Sequence, residues 1–339
     1  MLDEYNIAQG NHTLQSYLIY LLARCAMTAF RVLPREGAAR ILDALAALTY
    51  RLDAVHRRIA LTNLTIAFPE LSLREHEQIA VGSFKNTARN LLEIGRMPTL
   101  TRANIGDLVQ YDPDFGLANY ERAASGGKGI LYLTGHFSAW ELLPTAHALH
   151  GYPLSFITRP IDNVLLEKYI FEIRQRAGNQ VIYKRNSARH ILEKLKTGGS
   201  VGILLDQNTS LNEGILADLF GLPAATSTSI ALLSLRTDAA VLPGYIVPKP
   251  KCRYAIRFLP PVELIRTGDT NHDVAVNTQR FNRILEGIIR EQPDTWLWGH
   301  RRWKNQAGEF PDLYQLTLDD LRAFLAQYAR KRRDHGLED

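Results

Sequence analysis

Gly129-Ile-Leu-Tyr-Leu-Thr-Gly-His-Phe-Ser-Ala-Trp-Glu141 is the stretch whose reading decides the fold. Gly129–Thr134 is a short, nearly continuous apolar run closed by a glycine, the pattern of a strand buried on both faces of a parallel sheet. It ends at Gly135-His136, and a helical pattern begins at about Ser138. Strand, turn and helix in succession form the unit from which α/β sheets are wound, and in open sheets ligand sites gather at the carboxyl ends of the strands. His136 therefore stands where chemistry is expected.

Further short apolar runs follow at Leu154–Thr158, Val181–Tyr183, Val201–Leu205 and Ala240–Val247, with amphipathic stretches between them. The alternation predicts an α/β fold with a largely parallel central sheet flanked by helices, and no composition shift calls for a second domain after residue 129. Upstream the chain reads as helical. Gly37–Leu52 carries a helical pattern, and the basic cluster His56-Arg57-Arg58 leads into a helix ending near Phe68-Pro69. Leu14–Leu33 is the most membrane-like stretch, yet Arg24 and Arg31 interrupt it and the run Tyr17–Ala23 is too short to cross a bilayer. On a helical projection Tyr17, Tyr20, Arg24, Thr28 and Arg31 form one stripe; Leu18, Ile19, Leu22, Ala26, Ala29 and Leu33 form another. That is an amphipathic helix lying in an interface or a groove, with a single span and a soluble core helix as alternatives. The expected organisation is membrane-associating helices over residues 1–52, a catalytic domain over 53–310 and a charged helix or tail over 311–339 that contains Arg330-Lys331-Arg332-Arg333.

With 46% apolar and 22% charged residues among 339, the chain has enough apolar mass for one large core. Its net charge of +5 suits an acidic carrier protein or a phosphate-bearing membrane surface. No nucleic-acid partner is expected, because no helix-turn-helix, zinc-finger or aromatic-plus-basic RNA motif accompanies the charge. Cys25 and Cys252 are far apart in sequence, so neither a disulfide framework nor a cysteine metal site is indicated, and no motif calls for a metal or cofactor. A reducing, cytoplasm-facing catalytic domain fits best. Asp3 and Glu4 stand where a cleavable signal peptide would be basic.

Histidine takes up a proton near neutrality, so His136 suits a general base, and Glu141 could hold its ring and stabilise the imidazolium. Residues five apart do not face each other within one helix, so this pairing requires His136 to precede the helix. The bare spacing also fits a hydrogen-bonded structural histidine. Asp206 ends the run Val201–Leu205 and is placed like a site residue, although a turn cap would also explain it. Near the end, His300-Arg301-Arg302-Trp303-Lys304 gathers charge beside Trp296, Trp298 and Trp303. The arginines suit a headgroup, while the tryptophans read more simply as core.

The block Gly-His-Phe-Ser-Ala-Trp-Glu141 resembles the catalytic motif of the lipid A biosynthesis late acyltransferases, a branch of the His-x4-Asp/Glu glycerolipid acyltransferases. Other stretches are similar to that family in the same order: Arg57 to Glu70, Phe84 to Glu93, Thr158 to Asn163, Arg174, Gly202 to Gln207, Phe220 to Thr226, and Trp296 to Lys304. Together they cover roughly residues 50 to 305. Two departures stand out: Ser138-Ala139 replaces Gly-Asn, and Asp218-Leu219 replaces Pro-Phe.

The resemblance implies a glycerolipid acyltransferase-like fold and direct transfer of a fatty acyl chain. His136 would deprotonate an acceptor hydroxyl, which attacks a thioester carried on acyl carrier protein or coenzyme A, while Glu141 orients His136. Backbone N–H groups near Phe137 to Ala139 would stabilise the oxyanion. Arg159, Asn163, Arg174, Asp206, Arg301 and Arg302 would serve substrate binding, the arginines by gripping phosphate, with a solvent-facing helix or loop charge as the alternative for Arg159 and Arg174. The implied acceptor is a membrane glycolipid of the lipid A class at the cytoplasmic face of the inner membrane. Alternatives are another glycolipid acceptor, such as a phosphatidylinositol mannoside, or a noncatalytic lipid-binding protein of the same fold.

Overall fold

The computed structural model describes residues 13–184, 187–306 and 310–334. Among these, seven strands make one sheet: β1 (Val109–Tyr111), β2 (Ile130–Thr134), β3 (Ser155–Thr158), β4 (Gln180–Tyr183), β5 (Ser200–Leu204), β8 (Ala240–Lys249) and β9 (Arg253–Phe258), in the order β1-β9-β8-β2-β5-β3-β4. The run β8-β2-β5-β3-β4 is parallel throughout, as expected, whereas β9 turns back antiparallel to β8 and carries β1 with it. β6 (Gly214–Leu219) and β7 (Leu222–Ser227) form a separate antiparallel ribbon. The central strand β2 is buried on both faces. Leu131 and Leu133 enter one apolar layer, with Leu64, Ile191 and Phe281; Ile130 and Tyr132 enter the other, with Leu142, Ile170 and Phe258. This double burial explains why the strand reads as a continuous apolar run.

The first two helices, α1 (Leu14–Val32) and α2 (Arg35–Leu52), are followed by α3 (Ala54–Ala67) and α4 (Leu73–Arg96). Asp53 caps α3 and Ser72 caps α4, the latter in a capping box with Glu75. α1 does not stand away from the domain. The Asn163 amide donates to Ser16 O at 2.8 Å near one end, and Arg31 donates to Gly95 O at 2.8 Å and to the Tyr169 hydroxyl at 2.7 Å near the other. Gly95 permits this close approach, because a Cβ there would lie 3.0 Å from Phe30 and 3.2 Å from the Met27 backbone. No helix of the described residues is long and apolar enough to cross a membrane.

Toward the carboxyl end, α11 (Thr270–Glu291) supports the β6–β7 ribbon, and α12 (Leu318–Asp334) packs on α3. Asp218, one of the two sequence departures, is gripped by Arg332 of α12, which also donates to Gly221 O at 2.8 Å. Part of the basic tail is therefore a clasp between elements rather than only a solvated end. Arg302 is another clasp. It is fully buried and donates to Ala225 O at 2.6 Å and to the Thr226 hydroxyl at 2.7 Å on β7. Burial pushes its pKa down to about 10.

Arg302→Met should remove two buried charge-assisted hydrogen bonds, leaving Thr226 Oγ1 with Asn282 and Ala225 O with the long Thr209 N–H contact, and destabilise the fold by about 2–4 kcal/mol in denaturant titration. A loss below about 1 kcal/mol would mean that the desolvation cost of the guanidinium cancels its bonds.

Candidate active site

Parallel register builds the site. Thr134 at the end of β2 is paired with Leu204 at the end of β5, and Leu205 N–H still donates to Thr134 O at 2.9 Å. His136 and Asp206 each lie two residues beyond these strand ends, so they emerge side by side. His136 Nδ1 lies 2.9 Å from Asp206 Oδ1, and the His136 backbone N–H donates to Asp206 Oδ2 at 2.8 Å. Trp296 completes the hold by donating its indole N–H to Asp206 Oδ2 at 2.7 Å. Gly135 makes room for the carboxylate, since a Cβ there would sit 2.9 Å from Asp206 Cγ.

The electrostatics follow from this packing. Burial pushes Asp206 upward, but the His136 charge, the His136 ring and backbone hydrogen bonds, and the Trp296 N–H outweigh it and hold the carboxyl at about 2. Burial disfavours the His136 imidazolium, yet the Asp206 charge and hydrogen bond, with a smaller contribution from Glu141, raise its pKa above the ordinary 6.5. An ionised carboxylate only accepts hydrogen bonds, so Nδ1 carries the proton and Nε2 presents its lone pair.

Glu141 takes a different partner from the one expected. Its carboxylate is gripped by Arg174, Nε to Oε2 at 2.9 Å and Nη2 to Oε1 at 2.5 Å, while its backbone N–H donates to Asn90 Oδ1 at 3.1 Å. The reason is local. The helix α7 (Leu142–Leu149) begins four residues after Ser138, and residues 135–141 form irregular turns that direct the two side chains to different neighbours. Arg174, on α8 (Val164–Gln175), also reaches the Thr158 hydroxyl at 3.3 Å.

His136, Glu141, Arg174 and Arg159 line one cleft of about 1100 Å³ at the carboxyl ends of β2, β3 and β5. Lys184, Gln207 and Asn208 add polar wall, whereas Ile191, Ile203, Leu232 and Leu235 make an apolar one. Gln207 Nε2 stands 3.5 Å from His136 Nε2. The loop that carries Gln207 is fixed by His300, whose Nε2 accepts the Asn208 N–H at 3.0 Å; burial pushes His300 down to about 4 and keeps it neutral for that role.

Residues 9–305 match the family model described as bacterial lipid A biosynthesis acyltransferase. The chain belongs to that family. It is 29% identical over 258 residues to the lipid A biosynthesis palmitoleoyltransferase of Escherichia coli (strain K12), covering 76% of this chain and 81% of that protein. The lauroyltransferase of the same organism is 25% identical over 78% of this chain and 82% of its own length. Its myristoyltransferase is 23% identical over 82% and 84%.

Within this acyltransferase, several expected site residues do other work. Asn163 caps α8, accepting the Leu166 N–H at 3.1 Å, and ties that helix to α1. Arg301 lies over the Tyr314 ring at 5.6 Å and does not line the cleft. Arg302 is sealed inside the fold, so no substrate can reach it. Two of the three expected oxyanion donors are also spent: Phe137 N–H bonds Gly135 O at 2.9 Å and Ser138 N–H bonds Thr295 O at 2.8 Å. Ser138 sits at φ +50°, a left-handed position that costs a serine about 1–2 kcal/mol and a glycine nothing comparable. Among the described residues no group of three or more His, Cys, Asp and Glu is placed to hold a metal ion. Trp296, Gln207, His300 and Asn90 lie in stretches that resemble the family, but nothing in the local sequence tied them to His136, Asp206 or Glu141.

A base must be neutral to accept a proton, so the acid limb of the kcat/KM profile should lie above pH 6.5 in the parent. Asp206→Asn removes the charge that raises His136 and leaves burial to dominate. The limb should move to lower pH while kcat falls about 10²- to 10⁴-fold, by analogy with loss of the acidic partner in serine-type triads. A profile that stays in place in a folded variant would reduce Asp206 to a structural role.

Proposed function

We propose that the protein transfers a fatty acyl chain from a thioester, carried on acyl carrier protein or coenzyme A, to a hydroxyl of a membrane-embedded lipid A precursor, with His136 as the general base. The carrying observation is the His136–Asp206 pair at the floor of a cleft with one polar and one apolar wall. Such a cleft matches two substrates that each join a polar headgroup to an alkyl chain.

In this reading the acceptor O–H gives its proton to His136 Nε2 as its oxygen bonds to the thioester carbonyl carbon. The carbonyl pair moves onto oxygen, and the Gln207 amide is the donor positioned nearest the reacting groups. Collapse restores the carbonyl, breaks the C–S bond and returns the proton from His136 to the departing thiolate. Asp206 stabilises the transient imidazolium. Glu141 adds negative field to the same ring, and its ion pair with Arg174 stiffens the cleft wall. The Arg159 side chain, 84% exposed at the lip, is available to a phosphate or to an acidic carrier.

This reading places catalysis at the cytoplasmic face of the inner membrane. The free thiols of Cys25 and Cys252 suit that reducing side.

His136→Ala should abolish transfer in a variant that still folds but melts lower than the parent, because loss of general-base catalysis alone removes about 10²- to 10⁴-fold and the buried Asp206 carboxylate loses its imidazole partner. Mass spectrometry of lipids from cells carrying parent or variant tests the reading. The product lacking one acyl chain should accumulate with the variant, and an unchanged lipid profile would remove His136 from the mechanism. Arg159→Ala should raise KM for one substrate and make binding less sensitive to salt; unaltered kinetic constants would make Arg159 an ordinary surface arginine.

A further inference from the structure

α1 buries the wrong face for a helix that meets water. Its inward side is Ser16, Tyr20, Ala23, Met27, Phe30 and Arg31, two of them bonded through polar atoms to α4 and α8. Its outward side is Leu14, Leu18, Leu21, Leu22, Ala29 and Val32, of which Leu22 is 70% and Val32 80% exposed. The helix contains no acidic residue.

α2 repeats the arrangement. Small residues, Ala38, Ala39 and Ala46, with Leu42 and Tyr50, face α4 and the domain. Ile41, Leu45, Leu48 and Leu52 face outward at 49–74% exposure, and Val55 at the start of α3 continues the line at 60%. Both acidic side chains of α2 lie elsewhere: Asp43 is paired with Arg89 of α4, and Glu36 lies about 140° around the helix from the apolar stripe. Exposed Arg51, and exposed Arg40 with its guanidinium 4.0 Å from the Glu36 carboxylate, flank the stripe on its open side. An exposed apolar surface of this length is uncommon on a protein that meets only water, and arginine along its rim matches a negatively charged interface.

We propose that α1 and α2 form one docking face for an anionic bilayer, with the Ile41–Leu45–Leu48–Leu52 stripe of α2 inserted beside that of α1 and with Arg40 and Arg51 at headgroup level. The proposal rests on the acyl-transfer reading, whose acceptor resides in a membrane, and gives the membrane-associating region expected over residues 1–52 a specific contact face, with α2 contributing its own apolar stripe. α1 then lies along the membrane surface rather than through it. Its polar ties to Asn163, Gly95 and Tyr169 at both ends hold it lengthwise on the domain.

Co-sedimentation of the full-length protein with vesicles tests this, using phosphatidylethanolamine–phosphatidylglycerol mixtures and phosphatidylcholine alone. The parent should prefer the anionic vesicles. Leu45→Glu/Leu48→Glu should weaken that binding by at least about tenfold, since two exposed apolar anchors become charged, with the thermal melt unchanged. Arg40→Gln/Arg51→Gln should lower binding to phosphatidylglycerol vesicles at low salt and leave binding to phosphatidylcholine as it was. Analytical ultracentrifugation covers the competing occupant, a second copy of the chain. A parent dimer that the leucine variant splits, with vesicle binding intact, would overturn the proposal, and so would parent-level vesicle binding by that variant. Acyl transfer to acceptor dispersed in detergent should be the same for parent and leucine variant, which keeps the outcome separate from any failure of the catalytic reading.

Discussion

The contact between His136 and Asp206 is the constraint around which the structure is arranged. It exists because β2 and β5 are parallel neighbours in a register that lets each chain leave the sheet at the same height. Sliding β5 by one residue would turn Asp206 to the opposite face and substitute Leu205 or Gln207 in its place. Around the pair, Gly135 supplies space, Trp296 satisfies the second carboxylate oxygen, and the bridge between Phe137 and Trp296 holds the following turn against the carboxyl end of α11. Removing one partner of such a buried pair strands the other charge, at a cost of about 3–5 kcal/mol. Geometry and stability thus depend on the same atoms.

A second ion pair, Glu141 with Arg174, sits in the same cleft but in a different role. Two carboxylates near one histidine would both favour the imidazolium and make it a poorer base near neutral pH. Arg174 holds one of them in an ion pair, so Glu141 acts on the ring only weakly and from a distance while Asp206 is the carboxylate in direct contact with it. The His-x4-Glu motif remains intact as sequence, and its two ends serve one cleft through separate partners. The leucine-rich wall opposite completes a site that is polar where bonds change and apolar where chains would lie.

The N-terminal helices show the same division of labour on the outside of the molecule. Polar atoms of α1 are used to fasten it to α4 and α8, and its leucines are left facing out. Water does not reward that arrangement. It becomes favourable when the surroundings are apolar, which connects the odd polarity of α1 and α2 to a catalytic cleft shaped for lipid substrates.

The five parallel strands were legible in the sequence because burial on both faces removes alternation and leaves short apolar runs, as at Ile130–Thr134 and Ser200–Leu204. β1, β6, β7 and β9 carried no comparable pattern: β1 is only three residues long, and Asp218, Pro223, Arg253 and Arg257 interrupt the apolar character of the others. His136, Glu141, Arg174 and Asp206 were legible as chemically able residues, each near the end of a strand or in a matching motif. Their partners were not. Histidine and aspartate 70 residues apart meet only through strand register, and Arg302 reads as a surface charge until the fold closes over it. Residue types and local periodicity determined the α/β architecture, the helical N-terminus and the histidine at a strand end. Which carboxylate that histidine meets, which arginines are sealed away and which face of α1 turns outward were decided by tertiary packing, because hydrogen bonds and burial depend on distances that only the folded chain sets.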